Sequence, residues 1–160
     1  IWPTCYLLET ASINGLYAKK EKICQVVEEK ADINASFVGG SSGGNTALHY
    51  AAMYGDVSMA KYLIHHGARL NAINLYGDTP LHCAVHADKR AMVYVLLVNG
   101  KRKKYQSKLD IKNYCGDTPI ILAAHKPHIL KVFLTAAYPH MQKLPACDVS
   151  EPPYKKIRLN

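Results

Sequence analysis

GDTPLH at residues 77–82 sets the architecture of this chain, because it returns along the sequence at a nearly fixed interval. An earlier copy, GNTALH, occupies residues 44–49, and a later one, GDTPII, occupies residues 116–121. The threonines of the three copies lie 33 and then 39 residues apart. A period of this size indicates a stack of small units, whose long side surface is open to a partner.

Within one unit the residue pattern predicts two short helices. Thr79 suits an N-cap, and Pro80 suits the first helical position, where no backbone donor is required. After a break at residues 87–88, apolar residues at helical spacing run from 92 to 97 and stop at Gly100. Each unit is therefore predicted to be a helix, a turn and a second helix.

The preceding unit repeats this pattern and adds a projecting loop. Residues 47–54 and 59–66 read as its helices, with a turn at 55–56. Residues 68–72 then run extended toward Gly77, whose freedom at positive φ suits a tight turn. We expect a hairpin-like finger here.

These motifs resemble the ankyrin-repeat family, in which Thr-Pro-Leu-His opens the first helix and Gly-Ala-x-Leu-Asn-Ala leads into the finger. A weaker copy precedes them, since residues 31–35 nearly match residues 68–72. The resemblance implies an all-α solenoid of about four helix-turn-helix units with projecting finger loops. The end units depart from the pattern: Ile121 replaces histidine, and Pro127 stands where a glycine would close the first helix.

The predicted domain organisation is a repeat domain followed by a tail. The ankyrin-repeat domain covers 1–142, and its units cover about 4–43, 44–76, 77–115 and 116–142. The C-terminal basic tail, 143–160, has no helical periodicity and favours a linker over an ordered arm. Because the chain starts at Ile1 and shows no signal-peptide pattern, we expect it to be a fragment of a longer protein.

Charge and cysteine usage bound the compartment and the partners. The net charge of +8 resides in residues 101–108 and 155–158, and the remaining chain carries equal numbers of acidic and basic groups. The five cysteines are scattered and form no Cys-x-x-Cys, which favours free thiols in a reducing compartment. No apolar run reaches the roughly 18 residues that cross a bilayer. We therefore expect an intracellular protein of the cytoplasm, the nucleus or both.

A basic insert enlarges the approach to the last finger. Its cations could be a solvated loop, a nuclear import signal, or a contact for an acidic protein or nucleic acid. The insert carries Lys101, Arg102, Lys103, Lys104 and Lys108.

The family resemblance implies that partners bind the fingers and the first helices, which line a concave groove. Exposed tyrosines there would anchor an interface at small entropic cost. The alternative is that Leu75 and Tyr76 only cover the neighbouring finger. The partner-binding residues implied by position are Tyr50, Met53, Tyr54, Ile73, Leu75, Tyr76, Asp78, Cys83, His86, Lys112, Tyr114, Cys115, Asp117 and His125.

Catalytic and metal chemistry find little support in the sequence. His49 and His82 match the family position that hydrogen-bonds backbone between units, which implies a structural role. The sequence contains no His-Glu-x-x-His motif, no Gly-x-Ser-x-Gly motif and no phosphate-binding glycine loop. We expect no enzyme activity, no cofactor and no metal site.

The leading functional hypothesis is a protein-protein interaction module that binds a partner protein or peptide. The link at residues 109–118 is similar to the inhibitors of kappa-B transcription factors, which implies a regulator of transcription or signalling. One alternative is polyanion binding, to nucleic acid or anionic lipid, through the insert and tail. The array lacks the aromatic-basic interleaving typical of nucleic-acid binders. A third hypothesis is an adaptor that recruits clients to an enzyme complex, and the sequence leaves the oligomeric state open.

Overall fold

Three pairs of helices follow one another in the computed structural model, which describes residues 32–36, 43–99 and 107–137. No strand forms among these residues, although Ser36 and Thr46 make an isolated antiparallel bridge. The helices are α1 (Ala47–Tyr54), α2 (Val57–His65), α3 (Pro80–His86), α4 (Arg90–Val98), α5 (Pro119–Ala123) and α6 (Pro127–Ala137).

The first helix of each of the last two pairs begins as the sequence predicts. Thr79 is the N-cap of α3, and its side chain accepts a hydrogen bond from the His82 N–H. Thr118 caps α5 in the same way, by accepting from the N–H of Ile121. A proline follows each cap at the start of the helix, where its missing donor costs nothing. The predicted N-caps are therefore confirmed.

The ends of the first helices differ from unit to unit. Gly55 closes α1 in the left-handed conformation, at a φ of 77°. Asp88, at the corresponding place after α3, has a φ of 59° although it is not a glycine. In the last pair the expectation about Pro127 is wrong, because this residue begins α6 and α5 already ends at Ala123. The last unit is two residues shorter before its second helix, so that helix begins at the position where the other units still have their turn.

Lys126 ties the last pair of helices to the pair before it. Its ammonium group donates to the carbonyl oxygens of Val85, at 2.7 Å, and His86, at 3.0 Å. These carbonyls lie in the last turn of α3, where the helix dipole favours a cation.

Replacement of Lys126 should therefore destabilise the joint between the last two pairs. We expect Lys126→Ala to lower the free energy of unfolding by about 1 kcal/mol, from the loss of charge-assisted hydrogen bonds that are partly exposed. Lys131→Ala, on an exposed position of α6, should change it by less than about 0.5 kcal/mol. Urea denaturation of the two variants would test this, and equal effects would contradict the capping role.

One apolar core runs through the three described helix pairs. α1 packs on α3 and α3 on α5, while α2 packs on α4 and α4 on α6. Alanines at equivalent positions of the first helices let these helices approach closely, and larger side chains fill the space between the second helices. Buried positions that repeat in all three pairs include Ala51, Ala84 and Ala123 in the first helices, and Leu63, Leu96 and Phe133 in the second.

The array continues upstream of α1, since Ile33 is buried in the same core. The rest of the first predicted unit, residues 101–106 of the basic insert and the tail lie outside the described residues. The unit boundaries and the division between domain and tail remain our proposal.

Candidate protein-binding surface

The two fingers that the structure describes in full are turns, and a buried asparagine holds each of them. The side-chain oxygen of Asn74 accepts from the N–H groups of Tyr76, at 2.9 Å, and Asp78, at 3.0 Å. The backbone N–H of Asn74 donates to the Asp78 carbonyl oxygen, also at 3.0 Å. Gly77 completes the turn at a φ of 75°, a conformation that favours glycine. The side chains at the tip are therefore carried on a fixed backbone.

The last finger repeats this geometry around Asn113. Its side-chain oxygen accepts from the N–H groups of Cys115, at 3.1 Å, and Asp117, at 2.9 Å. Neither asparagine is among the residues that the sequence pattern assigned to a role. The available signal was Asn-x-x-Gly-Asp-Thr, which both copies contain and which is typical of an asparagine-anchored turn.

Neighbouring fingers are joined by hydrogen bonds between their backbones. The Leu75 N–H donates to the Gly43 carbonyl at 2.9 Å, and the Tyr114 N–H donates to the Tyr76 carbonyl at 3.0 Å. A side-chain bond accompanies each one: Asn74 Nδ2 donates to Asn45, and Asn113 Nδ2 donates to Asp78, both at 2.9 Å. The fingers therefore form one continuous edge.

Two buried histidines connect the helices to this edge. Nδ1 of His49 accepts from the Thr46 N–H, and its Nε2 lies 2.9 Å from the Asp78 carbonyl oxygen in the next unit. His82 makes the same pair of contacts, with the Thr79 N–H and the carbonyl oxygen of Asp117. A carbonyl only accepts, so the Nε2 of each ring carries a proton. A backbone N–H only donates, so Nδ1 carries none and each ring is neutral. The predicted structural role of both histidines is confirmed.

Burial disfavours the protonated form of these rings. It lowers the pKa of His49 from its ordinary 6.5 to about 4, although the Asp78 carbonyl opposes this shift. The pKa of His82 is lowered as well, again chiefly by burial. A second proton, on Nδ1, would leave the threonine N–H facing another donor.

These shifts predict that stability falls in mild acid. The unfolded histidine binds its proton near pH 6.5 and the folded His49 only near pH 4, so stability is full above the first value and decreases toward the second. For His49 alone we expect a loss of about 2 kcal/mol between about pH 7 and pH 5. Chemical denaturation at a series of pH values would measure it. If the stability of His49→Gln fell as steeply with pH as that of the parent protein, His49 would not be the group responsible for the loss.

The structure places most of the predicted partner-binding side chains on the fingers and at the C-terminal ends of the first helices. Met53, Asp78 and Asp117 are half-buried. Tyr50 and Cys83 are buried, at 3% and 6% exposed, so we leave both out of the proposed surface. Tyr50 instead contacts Tyr54, since their rings are nearly parallel and their centroids lie 6.4 Å apart. The exposed members are Tyr54, Ile73, Leu75, Tyr76, His86, Lys112, Tyr114, Cys115 and His125.

Large apolar side chains are exposed along the finger edge. Ile73, Leu75, Tyr76 and Tyr114 are 52%, 56%, 62% and 74% exposed. We call these four residues the finger-tip surface. Leu75 and Tyr76 also lie against Gly44 and Gly43 of the preceding finger. They therefore do cover a neighbour, as the alternative interpretation held, yet more than half of each side chain remains open.

The basic insert is described only at its end. Lys108 is exposed, and its N–H donates to the Asn71 side chain at 2.8 Å. Ser107 is buried and donates to the carbonyl oxygen of Leu96. Both contacts fix the point where the insert rejoins the array. Lys101, Arg102, Lys103 and Lys104 lie outside the described residues.

A cleft of about 690 Å³ lies between the first described turn, at Asn34 and Ser36, and the approach to the next finger, at residues 69–73. Asn34 spans one side of it by accepting from the Arg69 N–H at 2.7 Å. Arg69 is the only ionisable side chain among the described residues that line it. The cleft therefore presents no acid–base pair from that part of the chain. The described residues also hold no group of three or more metal-ligating side chains, and none of their helices could span a membrane.

Comparison with known sequences agrees with this architecture. The family model described as "Ankyrin repeats (3 copies)" matches residues 8–108, more than half of the chain. The chain belongs to the ankyrin-repeat family. The structure adds α5 and α6 beyond the matched residues, and Asn113 gives their finger the same turn as the one before.

Ankyrin-repeat relatives include the Neurogenic locus notch homolog protein 1 of Mus musculus, 42% identical over 81 residues. That match covers 51% of this chain and 3% of the relative. The Neurogenic locus Notch protein of Drosophila melanogaster is 35% identical over 102 residues, which are 64% of this chain and 4% of the relative. The chain thus spans a small fraction of these relatives. Family and relatives together support a protein-protein interaction module, a role that ankyrin repeats generally serve without catalysis.

Proposed function

We propose that this ankyrin array binds a partner protein or peptide through the finger-tip surface and the exposed C-terminal ends of the first helices. The observation that carries the proposal is the exposure of Ile73, Leu75, Tyr76 and Tyr114 on a backbone fixed by hydrogen bonds. Exposed apolar side chains clustered in this way are typical of interaction sites.

Rigidity makes these side chains suitable anchors. Tyrosine buries a large area while losing few rotatable bonds, and the turns at Asn74 and Asn113 leave little backbone motion to lose on binding. Asp78 and Asp117 lie at the base of the fingers, where Asp78 already accepts from the next asparagine. The Asp78 carboxylate is therefore engaged within the array, whereas the apolar tips are free to contact a partner.

The chemistry of the surface favours a partner with an apolar stripe flanked by polar groups. Exposed Lys112, two residues before Tyr114, supplies a donor beside the tips, and exposed His86 and His125 lie at the C-terminal ends of α3 and α5. We further propose a regulatory role in transcription or signalling, supported by the similarity to the kappa-B inhibitors, and an intracellular location in cytoplasm or nucleus. The polyanion and adaptor hypotheses depend on residues 101–106 and 145–160, so they stay predictions.

Proximity labelling in cells would test the proposed site. The double variant Tyr76→Ala, Tyr114→Ala should reduce specific partner labelling at least about tenfold, because truncation of interface anchors commonly costs more than 1 kcal/mol each. The matched control is Tyr94→Ala, which removes a ring that is 48% exposed on the second helix α4. All three residues are exposed, so the melting temperatures should remain close to that of the parent protein.

The two variants distinguish the possible sites. Loss of the same proteins in the double variant and their retention in Tyr94→Ala would support the finger-tip surface. Retention in both, or loss only in Tyr94→Ala, would move the partner site off the fingers and overturn the proposal.

A further inference from the structure

The last helix pair has an apolar side that no other described unit covers. We call Ile121, Ala124, Leu130 and Leu134 the downstream face. Ile121 is 48% exposed and Leu134 is 44% exposed. The counterparts of the first three residues, one repeat earlier, are completely buried by the next unit: His82, Val85 and Val93.

The last finger is open on the same side. A Cβ added to Gly77 would meet the Tyr114 backbone nitrogen at 2.9 Å, because the next finger packs there. Gly116 occupies the same position one repeat later, and a Cβ added there would meet no atom of the described residues within 4 Å. The Tyr76 carbonyl accepts from the Tyr114 N–H, and the matching acceptor on the last finger is the carbonyl of Cys115.

This face differs chemically from the two inner joints. At those joints a histidine donates to the carbonyl oxygen of the next unit. Ile121 cannot donate, and Leu130 is larger than its counterparts Ala60 and Val93. A further unit of the same kind would therefore lose its histidine link and meet a bulkier surface. An apolar segment without helical repeats fits this face better.

We propose that the chain's own C-terminal segment, residues 144–160, folds back over the downstream face and covers its apolar side chains. The proposal continues an interface that the array already uses, since the two helix pairs before it have this side covered. It is independent of the partner surface on the fingers.

The sequence of the segment suits this role. In an extended chain, alternate side chains share a side, so Ile157 and Leu159 would face the array while Lys156 and Arg158 would face solvent or the Asp117 carboxylate. Leu144, Val149 and Tyr154 add apolar groups at irregular spacing. Reach is ample, because about 20 residues beyond α6 can extend to about 65 Å, while α6 itself is about 16 Å long.

Thiol alkylation of the 160-residue protein would test the covering. Ala124→Cys places a thiol on the downstream face, and Ser58→Cys places a reference thiol at an exposed position of α2. With site-resolved mass spectrometry, we expect N-ethylmaleimide to react at position 124 at least about tenfold more slowly than at position 58. The pair Ile157→Asp and Leu159→Asp should bring the two rates within about threefold of each other.

Three outcomes would overturn the proposal. Equal rates at the two positions in the protein with its natural tail would show an open face. Protection that survives the tail substitutions would show another occupant, and protection that grows with protein concentration would identify a second copy of the chain.

Cys83 reports whether each variant is folded. It is buried in the core, and burial raises its pKa to about 12, so it should react only when the array opens. If Ala124→Cys makes Cys83 reactive, amide hydrogen exchange in α5 and α6 is measured instead, in protein without the added cysteine. The tail substitutions should then speed exchange there about tenfold and leave α1 unchanged, and equal exchange with and without them would contradict the covering.

Discussion

His82→Ala should lower the free energy of unfolding by about 4 kcal/mol, because one side chain both caps α3 and joins two units. The substitution leaves the Thr79 N–H and the Asp117 carbonyl oxygen without the ring atoms that they contact at 3.1 Å. Each lost partner costs about 1 to 3 kcal/mol when the remaining group is buried, and the vacated ring volume adds a cavity.

The matched control for this variant is His86→Ala, four residues on in the same helix. Its ring is exposed, so its removal should cost less than about 0.5 kcal/mol. Urea denaturation followed by circular dichroism would compare the midpoints. Similar shifts in the two variants would show that the contact with Asp117 does not connect the units.

Gly77→Ala should cost about 3 kcal/mol, and Gly116→Ala should cost about 1 kcal/mol. The two glycines have similar left-handed φ values, 75° and 88°, so both variants suffer the same backbone penalty. Only at Gly77 does the added Cβ meet backbone atoms, at 2.9 Å from Tyr114 N and 3.2 Å from Asn113 Cα. The difference of about 2 kcal/mol measures the packing of one finger against the next.

The same denaturation experiment would measure this difference. The difference between the two variants is free of the φ penalty that complicates any single glycine substitution, because that penalty is common to both positions. If Gly116→Ala destabilised the protein as much as Gly77→Ala, the close approach of the two fingers would be contradicted. A tail that packs tightly against Gly116 would also raise the cost of Gly116→Ala, and the tail substitutions described above would then lower it again.

Local chemistry made the helices predictable from sequence. Thr79-Pro80 marks a helix start by capping and by the missing donor of proline, and neither depends on distant residues. The repeat spacing then extended the same interpretation to Thr46 and Thr118. The error at Pro127 arose because the last unit is shorter, and a repeat alignment assigns a residue to a helix end only where unit lengths are equal.

Exposure was harder to predict, because it depends on what packs beside each residue. Tyr50 and Tyr54 lie on the same helix four residues apart, yet only Tyr54 is exposed. Cys83 occupies a first-helix position that the family resemblance assigned to the groove, and it is buried against the core. Asn74 and Asn113 carry the finger turns, and the shared Asn-x-x-Gly-Asp-Thr pattern was the sequence signal for them, but the bonds that each side chain makes to the backbone are seen only in the folded chain.

The proposed function depends on fingers that form one joined surface, on which the apolar tips are rigidly displayed. Amide hydrogen exchange at Leu75 and Tyr114 is its sharpest test, because these two N–H groups make the bonds between fingers while their side chains face solvent. A joined edge predicts exchange at least about a hundredfold slower than in an unfolded chain at both residues. Exchange within about tenfold of the unfolded rate would show separate, mobile loops and would contradict the joined surface.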